Sequence, residues 1–268
     1  MKVRLIAIDM DDTLLKADLS ISEANRAALQ RAEQAGIKIV LASGRNFISM
    51  SNYTSQLGLD KEGNYLICSN GAEILEASDG RVIEQLRFDP KTCLQIAQNI
   101  EDHGFPWQVY NDGKIICNTP TSWAMRDTHL TGQPLIVSTN KEETFSNGEV
   151  KFVIPGEPGK IARLYAIFKK EYEGKAEVVT SKPYFLEILP LGANKGAALA
   201  RLLRHLDIPM ESAMAIGDAM NDLSMIEAVG FGCAPANALG EVKRRARYVS
   251  KFSNDEDAVA DLVNTVAL

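Results

Sequence analysis

The chain of 268 residues is 46% hydrophobic and 24% charged, enough for one large or two modest domains with an ample core and unlike a disordered chain. A formal net charge of −6 argues against a non-specific nucleic-acid binder, which needs a clustered basic face, and gives no reason for adhesion to anionic membranes. The four cysteines Cys68, Cys93, Cys117 and Cys233 form no CxxC pair and read as small core residues of a reducing cytoplasm, with neither disulfides nor a zinc site expected.

The first apolar run, residues 3–8, reads as a buried central strand of a parallel sheet. It is too short for a secretory core, and no later stretch reaches the roughly 18 apolar residues of a membrane helix, so a cytoplasmic location is expected. Ser20-Ile21-Ser22-Glu23 offers a capping box for a helix running to Gly36, followed by a strand over 37–42, a helix over 47–57 and a strand over 65–68. From about residue 88 to 184 the strands fall in hairpin-like pairs. Asp112-Gly113 is the turn pair between strands over 107–110 and 115–117. Helices over 93–101 and 161–170 flank strands over 151–154, 176–180 and 185–189. Gly156-Glu157-Pro158-Gly159-Lys160 lacks the full phosphate-loop spacing and reads as a turn. The closing third returns to alternation, with a helix over 195–206, a strand over 213–216, a helix over 220–228, a short strand near Phe231 and a terminal helix after Asn254. The basic cluster Lys243-Arg244-Arg245 with Arg247 reads as a solvated helix face. The expected fold is α/β, a doubly wound, Rossmann-type parallel-sheet core of residues 1–86 and 187–268 with an inserted α+β module over 87–186.

Four segments carry chemistry. Asp9-Met10-Asp11-Asp12-Thr13 places acids where the first strand meets a loop, and open α/β sheets bind ligands outside the carboxyl ends of their strands. Crowded carboxylates repel one another, and a hard divalent cation such as Mg2+ is the usual relief; an acidic turn after a core strand is the plainer alternative. Ser43-Gly44 follows the second strand, where a hydroxyl and a backbone N–H can both donate to one anionic oxygen; a plain helix cap at Ser43 is the alternative. Lys195 opens a helix, a position its charge disfavours unless an anion or carboxylate cluster lies nearby. Asp218 and Asp222 follow another apolar strand, four residues apart and able to face Asp9 and Asp11.

Together these segments resemble the haloacid dehalogenase superfamily of phosphotransferases, and the whole chain looks like its Cof-type sugar-phosphatase branch. The resemblance rests on Asp9-Met10-Asp11-Asp12-Thr13, Ser43-Gly44-Arg45, Asn194-Lys195-Gly196 and Gly217-Asp218-Ala219-Met220-Asn221-Asp222, with Ser69-Asn70-Gly71 and Tyr184-Phe185-Leu186-Glu187-Ile188 as further Cof-like stretches. Asp12 stands where the pattern usually has glycine. The resemblance implies that Asp9 is the nucleophile, forming an aspartyl-phosphate, and that Asp11 is the general acid and base, its pKa raised by an anionic surrounding. It further implies Mg2+ on the Asp9 carboxylate, the Asp11 main-chain carbonyl and Asp218, with Asn221 and Asp222 supporting the site. Ser43, Gly44, Lys195 and Asn221 would hold the transferring phosphoryl group, with Ser43 and Lys195 also counted as catalytic.

The resemblance makes the inserted module a cap that selects the substrate. Trp107, Asn111, Arg126, Tyr184 and Glu187 are as well explained by packing, turns or surface, and none is assigned. The expected activity is a Mg2+-dependent phosphatase for small phosphorylated metabolites, chiefly sugar phosphates, with no nucleic-acid or membrane partner and with oligomeric state open. A mutase or phosphotransferase, a phospho-aspartate receiver and a sugar-phosphate sensor are the alternatives. The receiver needs neither Asp11 nor a large insertion.

Overall fold

The computed structural model describes residues 2–268. In chain order the strands and helices of the first stretch are β1 (Leu5–Ile8), α1 (Glu23–Gln34), β2 (Lys38–Ala42), α2 (Phe47–Leu57), β3 (Tyr65–Cys68), β4 (Glu73–Glu76) and β5 (Val82–Gln85). The middle holds α3 (Pro90–Asp102), β6 (Gln108–Asn111), β7 (Lys114–Cys117), α4 (Ala124–Thr131), β8 (Leu135–Val137), α5 (Lys141–Thr144), β9 (Phe152–Pro155), α6 (Pro158–Glu171), β10 (Ala176–Lys182) and β11 (Phe185–Pro190). The chain closes with α7 (Lys195–His205), β12 (Ala213–Ile216), α8 (Leu223–Ala228), β13 (Phe231–Ala234), α9 (Gly240–Arg245), β14 (Tyr248–Val249) and α10 (Ala258–Leu262).

One unit comprises the chain up to Glu84 with Asn194–Leu268, the other Gln85–Ala193. Strand β11, which the expected break at 186 divides, pairs with β9 on one side and β10 on the other, and so stays whole within the second unit.

The first unit is built on an eight-stranded sheet in the order β14-β13-β12-β1-β2-β3-β4-β5. The six strands from β14 to β3 run parallel, and β4 returns antiparallel to β3. Because strand side chains alternate, β1 sends Leu5 and Ala7 to one face and Ile6 and Ile8 to the other. The first pair packs with Leu199 and Leu202 of α7 and Met225 of α8, the second with Leu29 of α1 and Leu262 of α10. All four β1 side chains are fully buried, each large one contributing roughly 1.5–3 kcal/mol. An apolar run buried on both faces is what a central parallel strand requires.

The second unit is a six-stranded sheet in the order β10-β11-β9-β6-β7-β8, antiparallel except where β7 meets β8. Asp112 and Gly113 have φ of 47° and 74°, the two left-handed positions of a tight hairpin turn between β6 and β7. Trp107, Val109, Phe152, Ile154, Leu186 and Ile188 pack with Ile96 and Ile100 of α3 and Leu164 and Phe168 of α6.

Three local expectations change. The cap of α1 is Ser22, which accepts from Asn25 N at 3.1 Å, so a simple cap two residues later replaces the box the sequence suggests, Asn25 standing where a box needs Glu or Gln. Pro158, Gly159 and Lys160 form the first turn of α6 behind the Glu157 cap instead of a free turn, since proline suits a helix start. Residues Met220–Asp222 are a separate tight turn before α8, with the Asp222 side chain bonded back into it. The four cysteines are buried free thiols. No helix among the described residues is long and apolar enough to cross a membrane.

Candidate active site

The parallel register from Leu5↔Ala213 to Ile8↔Ile216 brings β1 and β12 out of the sheet side by side, and Asp9 N donates to Ile216 O at 2.9 Å. In sheet order the carboxyl ends of β12, β1, β2 and β3 therefore present Asp218, Asp9, Ser43 and Asn70. The fifth participant comes from α7. Asn194 caps that helix by accepting from Ala197 N at 2.8 Å, which places Lys195 at its first residue.

Lys195 is completely buried, a costly state for an ammonium unless it is paired. Its Nζ donates to Asp9 Oδ1 and, at 2.6 Å, to Asp222 Oδ1. Burial alone would lower its pKa; the charges of Asp222 and Asp9 outweigh that and hold it above the ordinary 10.5. Asp222, also fully buried, accepts on Oδ2 from Asp218 N at 3.1 Å and Ala219 N at 3.0 Å. Both its oxygens are thus committed, one to the lysine and one to the loop that carries Asp218.

Asp9 and Asp218 are less well compensated. Burial, then the charge of Asp222, pushes the Asp9 carboxyl well above its usual range, and Lys195 offsets this only in part. Asp218 is raised to about 6 by burial and by Asp222, although Thr13 Oγ1 donates to its Oδ1 at 2.8 Å. Carboxylate oxygens of Asp9, Asp218 and Asp222 lie within 4.8 Å of one another, so three acids share one ammonium. A crowded set of carboxylate oxygens fits a hard divalent cation such as Mg2+, and with both Asp222 oxygens committed, Asp9 and Asp218 are the carboxylates that could hold one. The acids crowd as the sequence suggests, but the ammonium at their centre exceeds what a plain acidic turn would need.

Ser43 is 1% exposed, and its N–H donates to Ile67 O at 2.9 Å. It does not cap the next helix: Asn46 does, accepting from Ser49 N at 3.0 Å. Ser43 Oγ instead accepts from Arg45 N at 3.2 Å, which leaves its own hydrogen to donate. Beside it, a Cβ at Gly44 would lie 3.0 Å from Asn70 Nδ2, so a side chain there would press on Asn70. Asn221 donates from Nδ2 to Asn70 Oδ1 at 3.0 Å.

Asp11 is placed differently from expectation. The sequence suggests an anionic surrounding; the structure puts a guanidinium there. Arg45 Nε donates to Asp11 Oδ2 at 2.9 Å and its Nη2 to Oδ1 at 2.8 Å, a two-pronged pair. Burial alone would lower the Arg45 pKa, and the hydrogen bonds and charge of Asp11 raise it instead. Arg45 and Asn70 received no role from the sequence. Both stand in segments already singled out, Ser43-Gly44-Arg45 and Ser69-Asn70-Gly71, and the rule of strand-terminal chemistry extends to the end of β3.

The family model described as haloacid dehalogenase-like hydrolase matches residues 6–263. YxeH of Bacillus subtilis (strain 168), which carries a phosphatase name, is 32% identical over 99% of this chain and 98% of its own. The HMP-PP phosphatase of Yersinia pseudotuberculosis serotype O:1b is 31% identical over 90% of this chain and 86% of its own. The crystal structure of a haloacid dehalogenase-like hydrolase from Bacteroides thetaiotaomicron superposes with a TM-score of 0.89 at 28% identity, covering 99% of this chain and 100% of that one.

Proposed function

Since the chain belongs to the haloacid dehalogenase-like hydrolase family and is a phosphoric monoester hydrolase, we propose that it hydrolyses small phosphorylated metabolites, chiefly sugar phosphates, in the cytoplasm through an aspartyl-phosphate. The observation that carries the reading is the buried contact of Lys195 with Asp9 and Asp222 beside Asp218. An ammonium so placed orients the Asp9 carboxylate and meets the charge of an incoming phosphoryl group.

Asp9 attacks phosphorus in line; the bond to the leaving oxygen breaks and that oxygen takes a proton from the Asp11 carboxyl. Asp11 then takes a proton from the water that attacks the acyl phosphate, releasing phosphate and restoring Asp9. For either step Asp11 must exchange its Arg45 partner for a proton, so the pair is the resting arrangement of the acid-base residue. Ser43 Oγ, the Gly44 N–H, Asn221 and Lys195 hold the phosphoryl oxygens. Asp9 and Asp218, with the Asp11 main-chain carbonyl, would hold Mg2+, which when bound would supply the positive charge that keeps those acids ionised beside a phosphate dianion.

The inserted unit is assigned the role of cap and substrate selector. Sugar phosphates are favoured by the Cof-type motifs, and the HMP-PP phosphatase relative makes HMP-PP the compound to set against them. The test is phosphate release from p-nitrophenyl phosphate, a sugar-phosphate panel and HMP-PP, with Mg2+ or EDTA, for the wild type beside Asp9→Asn. Turnover that needs metal and falls at least about a thousandfold in the variant is expected. A folded wild type that releases no phosphate from any member would sink the reading.

A further inference from the structure

Ser69, Asn70 and Gly71 at the end of β3 have φ of 51°, 52° and 94°, three left-handed residues in succession. Such backbone costs a residue with a Cβ of order 1 kcal/mol, less for asparagine, so the surroundings must hold the turn in place. They do so from three sides. Ser69 N donates to Arg45 O and Asn70 N to Ser43 O, both at 2.9 Å, lacing the turn to the loop after β2. Arg201 Nη2 donates to Gly71 O at 3.0 Å, and the space of a Gly71 Cβ is taken by the Asn194 carbonyl, one residue before Lys195.

The Asn70 side chain adds a bridge that the backbone does not need. It is 2% exposed and lies flat against Gly44. Its Oδ1 receives the Asn221 amide at 3.0 Å, from the loop after β12. Ser43-Gly44 and Asn221 lie in loops that follow β2 and β12, strands that β1 separates, so the sheet does not pair the two loops directly. Resting on the reading of Ser43, Gly44 and Asn221 as holders of the phosphoryl group, we propose that Asn70 is a positioning residue. Its carboxamide ties the Asn221 side chain to the Ser43-Gly44 loop and so sets the distance between the two sides of the phosphoryl site.

Backbone and side-chain roles separate cleanly at this position. Glycine adopts left-handed φ without strain, so Asn70→Gly keeps the turn and removes the side chain, and the bridge with it. Asn70→Asp keeps the size and the accepting Oδ1. The experiment measures, with Mg2+ present, the orthovanadate dissociation constant, amide exchange in residues 43–46 and 218–222, and the melting temperature. The proteins are the wild type, Asn70→Gly, Asn70→Asp, Asn221→Ala and the Asn70→Gly/Asn221→Ala pair.

Asn70→Gly is expected to melt with the wild type, to bind vanadate at least about tenfold more weakly and to lose amide protection in both loops. The double variant binds no worse than the weaker single one, because both remove the same bridge. Asn70→Asp retains the protection. Wild-type vanadate affinity in Asn70→Gly, additive losses in the double variant, or equal loss of protection in Asn70→Asp would each overturn the role. A wild type with no vanadate affinity removes the reading of the loops themselves, and the role falls with it.

Discussion

At the carboxyl ends of the parallel strands Lys195 is buried in contact with both Asp9 and Asp222, whereas the inserted sheet buries Lys151 and Glu187 at 3.5 Å and gives Asp127 neutral hydrogen-bond donors. In the second case Gln108 Nε2 and Tyr110 Oη donate to Asp127, and Lys151 lies 5.0 Å from the Tyr110 ring centre. Burial raises Asp127 and carries Glu149 to about 7, with Asn111 Nδ2 donating to Glu149 at 2.8 Å. Both units therefore bury acids. They relieve them by different means, a looser Lys151 contact with neutral donors and proton uptake in the inserted sheet, and a single ammonium in close contact with two acids at the strand ends. The second arrangement has carboxylates in excess and accommodates further positive charge, which is what separates a site for chemistry from a polar patch in a fold.

The largest expected contrast comes from removing each lysine. Lys195→Met leaves two buried carboxylates without a counter-charge and is expected to cost about 3–5 kcal/mol in urea unfolding, with loss of turnover. Lys151→Met, whose acid neighbour stands at 3.5 Å, is expected to cost less than half of that. Equal costs would break the distinction between the two units.

Proton uptake gives a second test. Glu149 ordinarily titrates at 4.5 and is raised to about 7 by burial, only partly offset by the Asn111 hydrogen bond and the charge of Arg87. Below pH 4.5 both the folded and unfolded states hold its proton, and its contribution is fully present. Between 4.5 and about 7 only the folded state does, so stability declines as pH rises, by a total on the order of 3 kcal/mol. Chemical unfolding of Glu149→Gln from pH 5 to 8 should show a flatter slope than the wild type; an unchanged slope would place the proton elsewhere.

The smallest effect is expected at Asp12, in the loop after Asp9, where φ is 62°. Asp12→Ala should cost about 1 kcal/mol, because alanine gains nothing in the left-handed region, while Asp12→Gly should lie within about 0.5 kcal/mol of the wild type. Thermal melts of the two variants decide it, and an alanine variant as stable as the wild type would show the loop to be unstrained.

That residue also marks how far the sequence is readable. The departure from glycine at Asp12 is visible in the chain, but its φ is set by the tight turn in which Leu14 N and Leu15 N return to Asp9 O and Met10 O. The apolar runs that become β1, β2, β3 and β12, the Asp112-Gly113 hairpin, and the identities of Asp9, Ser43, Lys195, Asp218 and Asp222 follow from local periodicity, turn chemistry and motif spacing. The short strands β4, β5, β8 and β14 do not: β8 and β14 have only three and two residues, and β4 and β5 mix acidic or amide residues with two apolar ones, unlike the four-residue apolar runs of β1 and β12.

Local sequence determines periodicity and turn preference because both depend on neighbours a few residues away. The pairing of Arg45 with Asp11, the bridge from Asn70 to Asn221 and the burial of Lys195 between Asp9 and Asp222 join residues 34, 151, 186 and 27 positions apart. Such contacts exist only after parallel strands align their carboxyl ends, and tertiary structure alone decided them.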